Sequence, residues 1–367
     1  ELPPELEYLP VIESEYKSWV CELKKQIKTA QLKASIAVNE EMLSLYWNIG
    51  KDISEKHYDA QYGTGFFENL SNDLKADFPN VQGFSPTNLK YMQYFFELYG
   101  GNCLDISGQQ VADRDNASSQ QVADRRNNLS PQLVDCHDIF EIPWGHQMLV
   151  IDKCQGNIDK ALFYVRKTIE NNWSRAVLLN FLDTDLYERE GKAVTNFKET
   201  LPLPLGDLAQ QIVKDPYNFN FLSLTEKYTE KELKDALMDN IQHFLLELGN
   251  GFAFVGREVR IEVGQTEKFI DMLFYNIKLH CYVVLEVKTD KFDFANVGQL
   301  GGYMVAVNHQ LKGEIDNPTI GLLVCKYKDN VEAQYALESS SQPMGVSAYE
   351  LSKLIPENFK STLPSIE

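Results

Sequence analysis

Long apolar runs are missing from this chain. No stretch of about 18 consecutive apolar residues occurs, so hydropathy gives no membrane-spanning helix. The first residues, from Glu1 to Pro10, hold neither a basic cluster nor an apolar core, and a secretory leader is not expected there. Cysteine is sparse and scattered. Cys21, Cys103, Cys136, Cys154, Cys281 and Cys325 form no C-x-x-C pair, which argues against a disulfide framework or a structural zinc and suits reduced thiols, so a cytoplasmic setting is expected. Basic charge is also short: 35 Lys and Arg stand against 53 Asp and Glu, a net charge of −18. A uniformly basic nucleic-acid binder is thereby excluded. Any contact with DNA must use a local cationic face, with weak non-specific affinity and strong salt dependence.

What is present is ample core material. Apolar residues make up 44% of 367 positions, with 20 Phe and 18 Tyr, enough for two domains. Residues 11–57 read as one long helix, because Val20, Leu23, Ile27, Ala30, Ala34, Ala37, Val38, Leu45, Ile49 and Ile53 recur at helical spacing. A helix–turn–helix pattern follows. Phe66–Phe78 is amphipathic, Pro79 and Gly83 break it, and Ser85-Pro86 is a cap followed by proline at the first helical position. Leu89, Met92, Phe95 and Phe96 form the apolar face of the second helix. Asn88, Lys90 and Gln93 are expected on the outer face, where a recognition helix meets a major groove.

Residues 100–138 lack apolar periodicity and repeat Gln-Gln-Val-Ala-Asp-Arg at 109 and 120, which suggests a mobile insert. Helices are expected at about 146–154, 157–170 and 173–190, and His146 reads as a structural histidine. The domain plan is therefore a helical region over 1–200 for DNA binding or dimerisation, a linker over 201–228 marked by proline, and a second domain over 229–367.

The second domain carries the chemistry. A helix from Thr229 ends at Gly249, a strand spans Phe252–Val263, and two apolar strands, a helix at about 294–311 and a strand at Thr319–Cys325 follow. That order, α-β-β-β-α-β, predicts an α/β core with a mixed sheet. The two apolar strands contain Asp271, Glu286 and Lys288. Side chains alternate along a strand, so Glu286 and Lys288 share a face. A turn at Ile277-Lys278 would set Asp271 opposite Val284 and diagonal to Glu286, on the same face; a slip of one residue would remove it. Burying three charges in apolar strands for stability alone gains little, because desolvation offsets the pairing. Two carboxylates and the Val287 carbonyl are hard oxygen donors suited to Mg²⁺, with Mn²⁺ as an alternative. Lys288 can orient a water or neutralise charge on a phosphate. Gln299 and Tyr303, one helical turn apart, fall on one side of the following helix.

Asp271, Glu286-x-Lys288 and Gln299-x-x-x-Tyr303 resemble the signature of the PD-(D/E)XK nuclease superfamily, with Ile270-Asp271 in place of Pro-Asp. Gly251-Phe-Ala-Phe-Val-Gly-Arg257, Ile270-Asp-Met-Leu-Phe-Tyr275, Ile142-Pro-Trp-Gly-His146 and Trp173-Ser-Arg175 are similar to the YhcG-like family within it. The resemblance implies a restriction-endonuclease-like C-terminal core, a mainly helical, winged-helix-like N-terminal region, and a Mg²⁺-dependent DNA endonuclease, with a dimer through the N-terminal helices as its expected assembly. It also implies an acid from the first core helix, for which Asp239 ranks ahead of Glu232 and Glu247. Arg257, Arg260, Lys268, Lys278 and Lys291 would form a cationic rim for phosphates. The alternative is a catalytically silent DNA-binding or assembly subunit that keeps the nuclease fold.

Overall fold

The computed structural model describes residues 9–57, 63–101 and 138–355, so the expected insert at about 100–138 lies almost wholly outside the described residues. The chain divides into two compact units, Glu1–Asp183 and Thr184–Glu367.

The described residues of the first unit hold helices only. They are α1 (Leu9–Lys56), α2 (Phe66–Asp77), α3 (Pro86–Tyr99), α4 (Asp138–Glu141), α5 (Trp144–Cys154), α6 (Ile158–Asn171) and α7 (Arg175–Asp183), with a single 3₁₀ turn before α2. The strand pair that would make a wing is not among these residues. The start of α3 follows from its cap: Ser85 Oγ accepts from the Asn88 N–H at 3.2 Å, and Pro86 occupies the first turn, where no amide donor is needed. Leu43, Tyr46, Trp47 and Ile53 of α1 are buried, as are Leu89, Met92, Phe95 and Tyr99 of α3. Trp47 meets Phe95 and Phe96 edge to face at 5.4 and 5.1 Å. The two helices touch closely at Gly50, where a Cβ would run into the Met92 carbonyl oxygen. Among the described side chains of α1, burial begins at Leu43; Tyr16, Trp19, Leu23, Ile27 and Val38 are exposed.

The second unit opens with α8 (Leu186–Arg189), β1 (Val194–Thr195), α9 (Phe197–Thr200), α10 (Leu205–Ile212), β2 (Tyr217–Asn218) and β3 (Leu224–Thr225). Residues 201–228 are therefore not a linker. Leu201, Ala209, Val213, Tyr217, Phe219 and Leu222 are buried in the core of this unit, and the division of the chain falls before Thr184. The proline-rich composition that suggested a link reflects turns between these short, well-packed elements.

Then come α11 (Glu230–Asp239), α12 (Ile241–Leu248), β4 (Phe252–Val263), β5 (Thr266–Asn276), β6 (Cys281–Lys291), α13 (Phe294–Gln310), β7 (Ile320–Tyr327), α14 (Asn330–Glu338), β8 (Met344–Glu350) and β9 (Leu354–Ile355). The sheet order is β1-β8-β7-β6-β5-β4, with β2 also on β8 and a separate β3-β9 pair. It is mixed: β4, β5 and β6 run antiparallel, whereas β6, β7 and β8 run parallel. The single helix expected from Thr229 breaks at Asn240, whose amide donates to the Ala236 carbonyl at 2.9 Å in competition with the backbone ladder. Leu233, Leu237, Phe244 and Leu248 of α11 and α12 pack with Phe274, Val283 and Leu285. Val297, Leu300, Met304 and Val307 of α13 pack with Leu273, Val284 and Leu323 in a second cluster. The sheet thus lies between two helical layers, which is why its central strands read as nearly unbroken apolar runs.

Candidate active site

The polar residues in those runs are brought together, by a register that differs from the expected one. The β5–β6 hairpin pairs Asn276 with Cys281 and Met272 with Leu285. The same register carried one residue on sets Asp271 opposite Glu286, not Val284, and the Asp271 N–H donates to Glu286 Oε1 at 3.4 Å. The turn is wider than a two-residue one because Asn276 Oδ1 accepts from both the Lys278 and the Leu279 N–H at 3.0 Å, and His280 takes a left-handed conformation with φ +47°. The shift amounts to two residues on β6, so the shared face survives; a shift of one would have destroyed it.

Around this pair stand two lysines and a third acid. Lys288 Nζ lies 3.4 Å from Glu286 Oε2 and 3.2 Å from Glu230 Oε1. Lys234 Nζ lies 2.6 Å from Asp271 Oδ1 and 2.6 Å from Glu230 Oε1. Each strand carboxylate thus has its own ammonium, and Glu230 bridges the two ammonium groups. Glu286 is only 2% exposed, and burial, with the Asp271 charge next in weight, pushes its carboxyl up to about 7. Burial works against charge on Lys234 and Lys288, yet the carboxylates around them outweigh it and hold both ammonium groups above their ordinary value. Burial also opposes charge on Glu230, and the two lysines overcome it, keeping this acid below its usual range.

The acid that the first core helix brings to this cluster is Glu230, a residue that sequence reasoning missed. Asp239 is exposed at the far end of α11. Nine residues of helix separate it from Glu230, a rise of roughly 13 Å. Glu232 is committed to a capping box, accepting from the Thr229 N–H at 2.8 Å while Thr229 Oγ1 accepts from its own N–H at 3.2 Å. Glu247 is buried against Arg189 at 2.6 Å. The signal for Glu230 was in the sequence: Glu230 and Lys234 stand four apart beside the buried Leu233 and Leu237, and Thr229-x-x-Glu232 already assigns Glu232 to the cap.

Gln299 Nε2 donates to Tyr303 Oη at 3.0 Å, but Gln299 is exposed and neither bonds a member of the acid–lysine group. Val287 is buried on β6, paired with Val324. The cationic rim is largely committed elsewhere. Arg257 binds Asp235, Arg260 is held by Glu262 and Glu267 at 2.5 and 2.6 Å, and Lys291 binds Glu332 at 2.9 Å. Lys268 and Lys278 are exposed. In the helical unit the expected outer face is corrected at two positions. Asn88 Oδ1 accepts from Trp144 Nε1 at 2.6 Å while its amide donates to the Gly83 carbonyl, and Gln93 is buried, donating to Glu97 at 2.9 Å. Both serve the fold because loop carbonyls and a neighbouring turn lie within their reach. Lys90 is exposed, its ammonium 5.5 Å from the centre of the Phe67 ring. His146 is structural as expected, its Nε2 paired with the Trp173 carbonyl at 3.0 Å.

A divalent cation can be tested against these residues. Asp271 Oδ2 is buried and has no hydrogen-bond partner, an acceptor left open in a half-buried acid pair. Burial, and next the Asp271 charge, oppose ionisation of its neighbour Glu286, and a cation shared by the two acids would offset that opposition. Oxygen donors of this kind fit Mg²⁺ or Mn²⁺.

Residues 210–364 match the family described as the YhcG PDDEXK nuclease domain, and residues 22–189 match the DUF1016 N-terminal domain. A curated relative, "Putative nuclease YhcG" of Escherichia coli (strain K12), is 27% identical over 341 residues, spanning 89% of this chain and 87% of that protein. Among solved structures, "crystal structure of a repair endonuclease from Pyrococcus abyssi" is 18% identical over 36% of this chain and 50% of that one, with a TM-score of 0.25. "Structure of EndoMS-dsDNA2 complex" is 20% identical over 37% and 50%, with a TM-score of 0.26. Structural likeness at such scores carries no argument about activity. No helix among the described residues is long and apolar enough to cross a membrane.

Proposed function

We propose that the chain, which matches the YhcG PDDEXK nuclease domain over residues 210–364 and is 27% identical to a putative nuclease, is a metal-dependent endonuclease that hydrolyses phosphodiester bonds in DNA. The observation that carries the reading is the cross-strand pair Asp271 and Glu286, with an open carboxylate oxygen on one and the Lys288 ammonium on the other. Asp271, Glu286 and the Val287 carbonyl would hold Mg²⁺, or Mn²⁺ in its place, and the ion when bound would polarise the phosphate and acidify a water. Lys288 donates a hydrogen bond to the attacking water and offsets charge that builds on the phosphate. Glu230 keeps the Lys288 ammonium aimed at the acids, at 3.2 Å from its own carboxylate. Gln299 and Tyr303, bonded to one another, lie on the following helix as a polar edge for the substrate strand. Lys268 and Lys278, exposed on β5 and its turn, meet phosphates without reading sequence.

In the helical unit, Lys90 is the residue of the expected outer face that remains free to meet DNA. The exposed Tyr16, Trp19, Leu23 and Ile27 on α1 support association with a second copy of the chain. The test is cleavage of duplex DNA in Mg²⁺ by the full chain and by Glu286→Ala and Lys288→Ala. Each variant is expected to lose roughly 10²–10³-fold in rate. Equal cleavage by all three would remove these residues from the active site, and no cleavage by any of them would favour a silent DNA-binding subunit.

A further inference from the structure

Lys234 is a second lysine at the acid pair that the expected chemistry does not need. Glu and Lys four apart on a helix are ordinary, and such a pair on an exposed face stabilises the helix only slightly. Lys234 is not exposed in that way. Its side chain is 16% accessible, and it reaches past Glu230 to Asp271, whose side chain is also 16% accessible. An ammonium devoted to helix stability has no reason to make that second contact.

Three carboxylates and two ammonium groups form one cluster, and the pairing is orderly. Lys288 stands on Glu286, Lys234 stands on Asp271, and Glu230 Oε1 touches both lysines. A divalent ion held by Asp271 and Glu286 would sit close to the Lys234 ammonium, where two positive charges repel strongly in a partly desolvated site. The ammonium must then give up Asp271, and Glu230 is already 2.6 Å away to keep it. Removal of the Lys234 charge would take that repulsion away.

We propose that Lys234 is a tethered counter-ion for Asp271, which holds the acid pair assembled without metal and competes with the divalent cation for it, so that Lys234 sets the cation concentration at which the site loads. Lys234 is a positioning residue, since it acts through Asp271. The proposal rests on the metal-site reading above and predicts a sign that a purely structural lysine would not give: loss of the side chain strengthens cation binding.

The experiment is calorimetric titration of the full chain with Mn²⁺ in the absence of DNA, alongside Lys234→Met, Lys234→Gln, Lys234→Arg and Asp271→Asn. Lys234→Met is expected to bind Mn²⁺ at least about tenfold more tightly than the wild type, the equivalent of one pK unit of competing charge. Lys234→Gln keeps a hydrogen bond to Asp271 without the charge and is expected to show the same gain; it decides the matter if the Met variant does not fold. Lys234→Arg, still charged, is expected to bind no more tightly than the wild type. Equal or weaker binding in the neutral variants, with wild-type binding abolished by Asp271→Asn, overturns the competition and leaves the metal site standing. Wild-type binding that Asp271→Asn does not change, or no binding at all, removes the metal site and the competition together.

Discussion

Polar side chains meet opposite fates in the two units. In the helical unit, Asn88 and Gln93 carry the residue types of a recognition surface, yet both turn inward and bond to the protein itself. In the sheet unit, Asp271, Glu286 and Lys288 interrupt apolar strands and remain dependent on one another. Geometry explains the difference. A helix packed near loops offers free carbonyls, and the Gly83 carbonyl is one that the Asn88 amide finds. A central strand commits its backbone groups to the ladder, so a charged side chain there has only other side chains, or a ligand, to turn to.

A buried ion pair in the sheet unit puts pressure on this contrast. Arg189 and Glu247 are 5% and 4% exposed and 2.6 Å apart, yet they form no site. Arg189 also donates to the Thr184 and Pro216 carbonyls at 2.7 and 2.9 Å, and Glu247 accepts from the Asn218 N–H at 2.9 Å. What sets the acid pair apart from this saturated one is an unfilled bonding capacity at Asp271 Oδ2 beside two ammonium groups. Glu247→Ala strands the Arg189 charge and is expected to cost about 3–5 kcal/mol, read by urea unfolding of the sheet unit. Glu286→Ala is expected to lose roughly 10²–10³-fold in cleavage rate with little loss of stability. If the two substitutions proved equally destabilising, the distinction between saturated and unsaturated buried charge would fail.

A smaller effect sharpens the contrast from the other side. Asn88→Ala removes the Trp144 acceptor and the bond to Gly83, and is expected to cost about 1–3 kcal/mol in the helical unit. Its effect on DNA affinity, at conditions where the fold persists, should be slight. Lys90→Ala should leave stability unchanged and lower the slope of affinity against salt by about one. A large affinity loss from Asn88→Ala in a protein of unchanged stability would return that residue to the DNA-facing surface.

Much of the plan was legible in the residues. Ser85-Pro86 set the start of α3, alternation marked β4, and the interrupted apolar runs marked the acid pair. Other features depend on what a side chain does after folding. The Asn276 amide widens the β5–β6 turn, which apolar spacing does not register. Glu230 and Glu232 are both acids in the first turn of α11, and only the capping box separates the one at the site from the one at the helix end. The stretch 201–228 looked like a link because prolines punctuate it. Its Val213, Tyr217 and Phe219 are among the most buried residues of the sheet unit. The outer part of α1 shows the reverse, since Tyr16, Trp19, Leu23, Ile27 and Val38 of its apolar stripe are exposed.

The weakest effect separates the units by pH. Burial, and then the Asp271 charge, raise the Glu286 carboxyl from 4.5 to about 7, so between those values the folded sheet unit holds a proton that the unfolded chain has released. Its stability therefore falls as pH rises through that window. His146 works in the opposite sense. Burial lowers its pKa below 6.5, against a smaller opposing effect of the Trp173 carbonyl, so the folded helical unit sheds its proton before the unfolded chain does. Stability of that unit rises with pH up to the ordinary histidine range. Over the single step from about pH 6 to pH 7, each contribution stays below about 1.4 kcal/mol, and solvent screening makes that of the half-buried His146 the smaller. Thermal unfolding with divalent ions chelated, followed by hydrogen exchange in each unit, resolves the two slopes. Glu286→Gln should flatten the one and His146→Gln the other. Slopes of the same sign in both units, unchanged by either substitution, would mean that neither group carries the pH dependence assigned to it.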